Sequence, residues 1–113
     1  TIGHGIEAAT GYRKIKHGEA VALGMIAATF IATKLNICDI AVLHHLTKLL
    51  TTMGFKTKIS DLEPEAVINA MKHDKKNKKG KFQFVLPTKL GHVKLDNEVD
   101  ANLIKKAIHY VSK

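Results

Sequence analysis

The chain has no Trp, one Arg (Arg13), one Cys (Cys38) and two Pro among 113 residues, and aromatics make up 5%. A single cysteine excludes an internal disulfide framework and suits a reducing compartment, so a cytoplasmic protein is expected. A nucleic-acid surface usually mixes Arg with Lys and interleaves stacking aromatics. The lone Arg and scarce rings argue against that class and against a nucleic-acid partner. No apolar run approaches the ~20 residues that cross a bilayer, so no membrane association is expected. No basic-then-apolar leader is visible. An apolar fraction of 45% excludes a disordered tail. The length suits one domain, expected to span residues 1–113. The opening Thr1-Ile2-Gly3-His4-Gly5-Ile6-Glu7 reads as the middle of something, so a fragment of a longer protein is expected.

What is present is lysine. Formal net charge is +8, and five lysines fall in the seven positions from Lys75 to Lys81. That run reads as a solvated loop, as a site for a phosphorylated or carboxylated small molecule, or as a nucleic-acid patch. The apolar pattern predicts about five helices and one small hairpin. The first helix covers residues 3–9 and stops at Thr10-Gly11-Tyr12. The second covers 18–35 and is apolar on nearly every side, which marks a buried helix. Asp39 is a plausible N-cap for a third over 40–53, and Gly54 a plausible stop. A short extended piece is expected over 55–60. Pro64 suits the first turn of a fourth helix through Met71. Residues 81–87 alternate as a strand ended by Pro87, and 90–95 read as its partner around a Thr88-Lys89 turn. A final amphipathic helix is expected over 99–111.

Seven histidines are many for this length. His44 and His45 are adjacent in a helix and point about 100° apart, so they form no two-ligand site. They read as structural, His92 and His109 read as surface or packing residues, and His73 is undecided. His4 and His17 differ. His4 is flanked by Gly3 and Gly5, which leave its ring unscreened. His17 precedes Gly18-Glu19 at the mouth of the apolar helix. Imidazole is the commonest metal ligand, but two histidines thirteen apart are no metal signature, and three protein ligands are normally needed. Glu7 and Glu19 could add carboxylates, or could pair with or cap a helix start. Asp74-Lys75-Lys76 could bind an anion, with Asp74 fixing one ammonium while the other faces the ligand.

Taken in order, Gly3-His4-Gly5-Ile6-Glu7, His17-Gly18-Glu19-Ala20-Val21-Ala22-Leu23-Gly24-Met25, Asp74-Lys75-Lys76, Phe84-Val85-Leu86-Pro87 and Leu90-Gly91 resemble the C-terminal domain of the 3-dehydroquinate synthases. The resemblance runs over essentially the whole chain. It implies the mainly helical fold shared with iron-type alcohol dehydrogenases. In that family an N-terminal α/β domain, absent from this chain, binds NAD. The reaction is that of a lyase in the shikimate pathway, which leads to chorismate and the aromatic amino acids. It converts 3-deoxy-arabino-heptulosonate 7-phosphate into 3-dehydroquinate and phosphate. An alcohol is oxidised by NAD and phosphate is eliminated. The ketone is reduced by the same cofactor, the ring opens, and an aldol closure follows.

The resemblance also implies site residues. One carboxylate and two histidines hold zinc or cobalt in the family. His17 corresponds to the second histidine, and the other two ligands lie upstream of Thr1. His4 corresponds to a substrate-contacting, proton-transferring histidine. Lys75 or its neighbour Lys76 corresponds to the lysine that holds an anionic end of the substrate. With one zinc ligand of three and no cofactor segment, the isolated chain is expected to be inactive. Its implied partners are the sugar-phosphate substrate, its own N-terminal domain, and a second subunit in a homodimer. Three rivals remain. They are a related cyclase (2-deoxy-scyllo-inosose or valiolone synthase), a metal-dependent polyol or alcohol dehydrogenase, and a non-enzymatic basic helical binding module.

Overall fold

The computed structural model describes residues 2–11, 15–60, 62–72, 82–89 and 92–112. Within them the chain forms α1 (Ile2–Ala9), α2 (His17–Lys34), α3 (Ile40–Thr52), α4 (Pro64–Lys72), strands β1 (Phe82–Lys89) and β2 (His92–Val99), and α5 (Ala101–Tyr110). Five helices and a small antiparallel hairpin are the expected fold class. The buried side chains join in one continuous cluster built around α2, which packs on α1, α3, α5 and β1.

Helix ends follow the local chemistry. The Asp39 carboxylate accepts from the Ala41 amide at 2.9 Å and caps α3, and Asp100 accepts from Asn102 at 2.7 Å and caps α5. Gly54 stops α3 with φ +91°, while the Phe55 amide reaches back to the Leu50 carbonyl. Asn36 does the same for α2 at φ +58°, and Ile37 bonds back to Ala32.

Four sequence expectations need correction. The strands are longer than expected. Pro87 lies inside β1 opposite Val93, and pairing continues to Lys89 opposite His92, so Thr88-Lys89 is strand and not turn. A two-stranded sheet is all edge, so the missing amide of a proline costs no interior bond. The last helix starts later, because Val99 pairs with Phe82 and Asp100 serves as the cap. Residues 55–60 form no strand, but the Ile59 amide bonds the Val111 carbonyl at 3.0 Å in a single bridge.

The fourth correction concerns α2. It is apolar all round yet not buried all round: Val21 is 44% and Met25 45% exposed. His17, Val21 and Met25 recur every four residues, so they share one helical face. The packed elements cover the opposite side, through Leu23, Ile26 and Ala27. No described helix is long and apolar enough to cross a membrane.

Candidate functional site

The site candidates sit on α1 and the start of α2. An eight-residue helix with two glycines would not hold in water by itself. It holds here because Ile2 and Ile6 are buried and because it wedges between α2 and α4. The glycines permit that wedge. A Cβ on Gly3 would lie 2.9 Å from the Ala20 carbonyl oxygen. One on Gly5 would lie 2.9 Å from the Val67 carbonyl oxygen and 3.0 Å from two side-chain carbons. One on Gly24 would lie 3.0 Å from the Gly3 nitrogen. With Gly3 beside Ala20 and Gly24, the chain direction of α1 brings Glu7 to the head of α2.

There the Glu7 carboxylate meets His17. Oε1 and Nδ1 are 2.9 Å apart. The Glu7 side chain is 12% exposed and that of His17 is 72% exposed. A carboxylate only accepts, so Nδ1 is the donor and carries the proton. In a neutral ring the remote Nε2 then keeps its lone pair. No described residue takes a hydrogen bond from or gives one to Nε2. His17 therefore presents a fixed, open nitrogen to solvent. This donor chemistry fits a divalent metal, which takes neutral imidazole and favours a ring whose other N–H is held by a carboxylate. It provides one ligand only. Among the described residues no three His, Cys, Asp or Glu side chains converge closely enough to hold a metal ion.

His4 lies one turn before Glu7 on α1 and is exposed. Glu19 is half-buried in the first turn of α2 and makes no capping hydrogen bond among the described residues. His44, His45, His92 and His109 are exposed and stand on other elements. His73, Asp74, Lys75 and Lys76 lie outside the described residues. The Glu7–His17 contact was only half legible. The sequence offers Glu7 as a carboxylate that could coordinate, pair or cap, but its partner lies ten residues away across a helix break. The remaining signal is a carboxylate on the same helix as the buried Ile2 and Ile6. A cleft of about 650 Å³, lined by Phe30, Glu65, Lys105 and Tyr110 among others, belongs elsewhere. Phe30 is thirteen residues along α2 from His17, or roughly 20 Å at helical rise.

Comparison with known proteins agrees with this architecture. A family model described as 3-dehydroquinate synthase C-terminal matches residues 1–77. A 3-dehydroquinate synthase of Nostoc punctiforme is 42% identical over 109 residues, covering 96% of this chain and 30% of that protein. One from Rippkaea orientalis is 43% identical, covering 100% of this chain and 31% of its own length. The chain thus spans about 30% of the length of the curated relatives it matches. Among solved structures, a 2-deoxy-scyllo-inosose synthase complexed with carbaglucose-6-phosphate, NAD+ and Co2+ superposes with a TM-score of 0.81 at 29% identity. It covers 95% of this chain and 32% of that one. A second structure of 2-deoxy-scyllo-inosose synthase gives 0.79 at 28%, covering 96% and 29%. The helical architecture, the matched segment that holds both His4 and His17, and the agreement in sequence converge: the chain belongs to the 3-dehydroquinate synthase C-terminal family.

Proposed function

We propose that the chain is the metal- and substrate-binding domain of a 3-dehydroquinate synthase, a lyase that turns 3-deoxy-arabino-heptulosonate 7-phosphate into 3-dehydroquinate and phosphate. The observation that carries this is the open imidazole of His17, its Nδ1 tied to buried Glu7, inside the segment that matches the family. His17 contributes one ligand to zinc or cobalt. When bound, the metal polarises the substrate oxygens at which oxidation and reduction occur. His4 donates or accepts a proton at the substrate hydroxyl beside the reacting carbon. Lys75 or Lys76 pairs with an anionic end of the substrate.

NAD and the remaining ligands come from the part of the protein that relatives carry beyond this domain. The exposed Val21 and Met25 side chains, on the same face as His17, support a covering partner there. The isolated chain is inactive, and the whole protein is cytoplasmic and homodimeric and binds neither nucleic acid nor membranes. The unpaired Cys38 suits the compartment.

The test is phosphate release. The complete polypeptide encoded by the reading frame that contains these residues is given substrate, NAD and zinc. The expected result is turnover that the 113-residue chain alone lacks. Turnover by the isolated chain, or none by the whole protein where the Nostoc relative is active, would sink the reading. A hexose 6-phosphate in the same assay checks the cyclase alternative suggested by the 2-deoxy-scyllo-inosose synthase structures.

A further inference from the structure

Glu7 is one of two polar side chains buried among the described residues; the other, Thr29, bonds its own helix at the Met25 carbonyl. Burying a carboxylate is costly unless it is paired. Its partner is His17, whose ring is otherwise in water. Such a pair is a poor structural device, since the imidazole side is open to competing solvent. It is a good orienting device. The carboxylate is anchored by α1, which Gly3 and Gly24 seat against α2 with no room for a Cβ, so the acceptor is fixed relative to the ring. We propose that Glu7 is a positioning residue that holds His17 in the Nδ1–H tautomer and in one rotamer, so that Nε2 is aimed at the metal before it arrives. This rests on the reading of His17 as a metal ligand. Glu7 itself is not a ligand. The oxygen engaged with Nδ1 lies on the far side of the ring from Nε2, and the carboxylate is nearly closed off from solvent.

The physical consequence is separable into two parts. Without the carboxylate nothing selects the Nδ1–H form, so part of the population presents a protonated Nε2 that cannot bind metal. The ring also gains rotameric freedom that binding must then remove. Losing an outer partner of this kind typically weakens metal binding 10–100-fold. A glutamine at the same place can still accept from Nδ1–H through its amide oxygen, though without the charge. It keeps tautomer and rotamer and loses only the contribution of charge to ligand basicity.

The experiment uses the complete polypeptide with Glu7→Ala, Glu7→Gln and His17→Ala variants. Cobalt(II) affinity is followed by the visible absorption of the bound ion, and the tautomer of His17 in the metal-free protein by ring nitrogen-15 NMR. The His17 signals are assigned by their loss in His17→Ala. The expected result is an Nδ1–H ring in the parent and a tautomer mixture in Glu7→Ala with roughly 10–100-fold weaker cobalt binding. Glu7→Gln keeps the tautomer and loses less affinity. If Glu7→Ala does not fold, the nearly isosteric Glu7→Gln decides: a retained tautomer with measurably weaker cobalt binding is the expected result. Unchanged affinity in the Glu7 variants, with His17→Ala unable to bind cobalt, overturns the positioning role and leaves the ligand reading intact. Unchanged affinity in His17→Ala overturns the ligand reading itself.

Discussion

Gly5 is where the seat of α1 can be tested most sharply. Replacing it with alanine pits two opposed effects. Alanine is favoured over glycine in a helix by about 1 kcal/mol, so the change should stabilise if the space were open. It is not open. The new Cβ would lie 2.9 Å from the Val67 carbonyl oxygen and 3.0 Å from Met71 Cγ and Val67 Cγ1. Met71 can swing aside, but the carbonyl belongs to the backbone of α4 and moves only if the helices part. Overpacking of this kind costs about 1–3 kcal/mol, and a backbone contact belongs near the upper end. The net expectation is a loss of about 1–2 kcal/mol. With a urea slope of about 2 kcal/mol/M, mid-range for a small domain, the unfolding midpoint drops by roughly 0.5–1 M. Gly18→Ala is the internal control. Gly18 is exposed on α2, and its Cβ would meet only Phe55 Cε1 at 3.5 Å, an ordinary contact. There the propensity gain stands unopposed, and the midpoint rises by a few tenths of a molar. Both melts use circular dichroism on the same chain. If Gly5→Ala behaves like Gly18→Ala, α1 does not seat against α4 as described, and its wedged position between α2 and α4 is refuted.

Two further outcomes follow from titrating groups. Burial, with help from the Asp39 carboxylate, pushes the Cys38 thiol up. Little thiolate is present near pH 8, so iodoacetamide should label the native chain far more slowly than the urea-unfolded chain; equal rates would refute the burial. The second concerns Glu65 on α4, which pairs with Lys105 on α5 at 2.7 Å and is held below the usual carboxylate range by that hydrogen bond. A carboxylate lowered in the folded state adds stability above its unfolded value, and that contribution disappears as pH falls through the folded value. Glu65→Gln should therefore be slightly less stable than the parent at pH 7 and equal to it in acid. High salt should also close the gap, because the pair is largely exposed. A gap that persists in acid would assign the effect to packing.

Much of the secondary structure was legible because its causes are local. Asp39, Gly54 and Pro64 bound helices through their own backbone and side-chain chemistry. Phe82, Phe84 and Leu86 alternate because a strand buries every second residue. The errors fell where a neighbour overrides the local signal. Pro87 looked like a strand end, yet pairing carries β1 past it; Val99 looked helical, yet Phe82 recruits it into the sheet. The apolar wheel of α2 suggested full burial, but periodicity reports how much apolar surface a helix has and not how many neighbours arrive to cover it.

The candidate site divides along the same line. His4 and His17 could be singled out as candidates from their flanking glycines, and the family from the order of its motifs, because both are written along the chain. The arrangement that gives His17 its chemistry is not. It needs Gly3 and Gly24 to let two helices touch, and an antiparallel approach to bring residue 7 to residue 17. It also needs enough burial to dry one carboxylate while leaving its imidazole in water. Residue types and caps are properties of short stretches, and sequence by itself determined them. Which side chain of one helix faces which side chain of the next depends on how closely their backbones approach, and only the tertiary structure decided that.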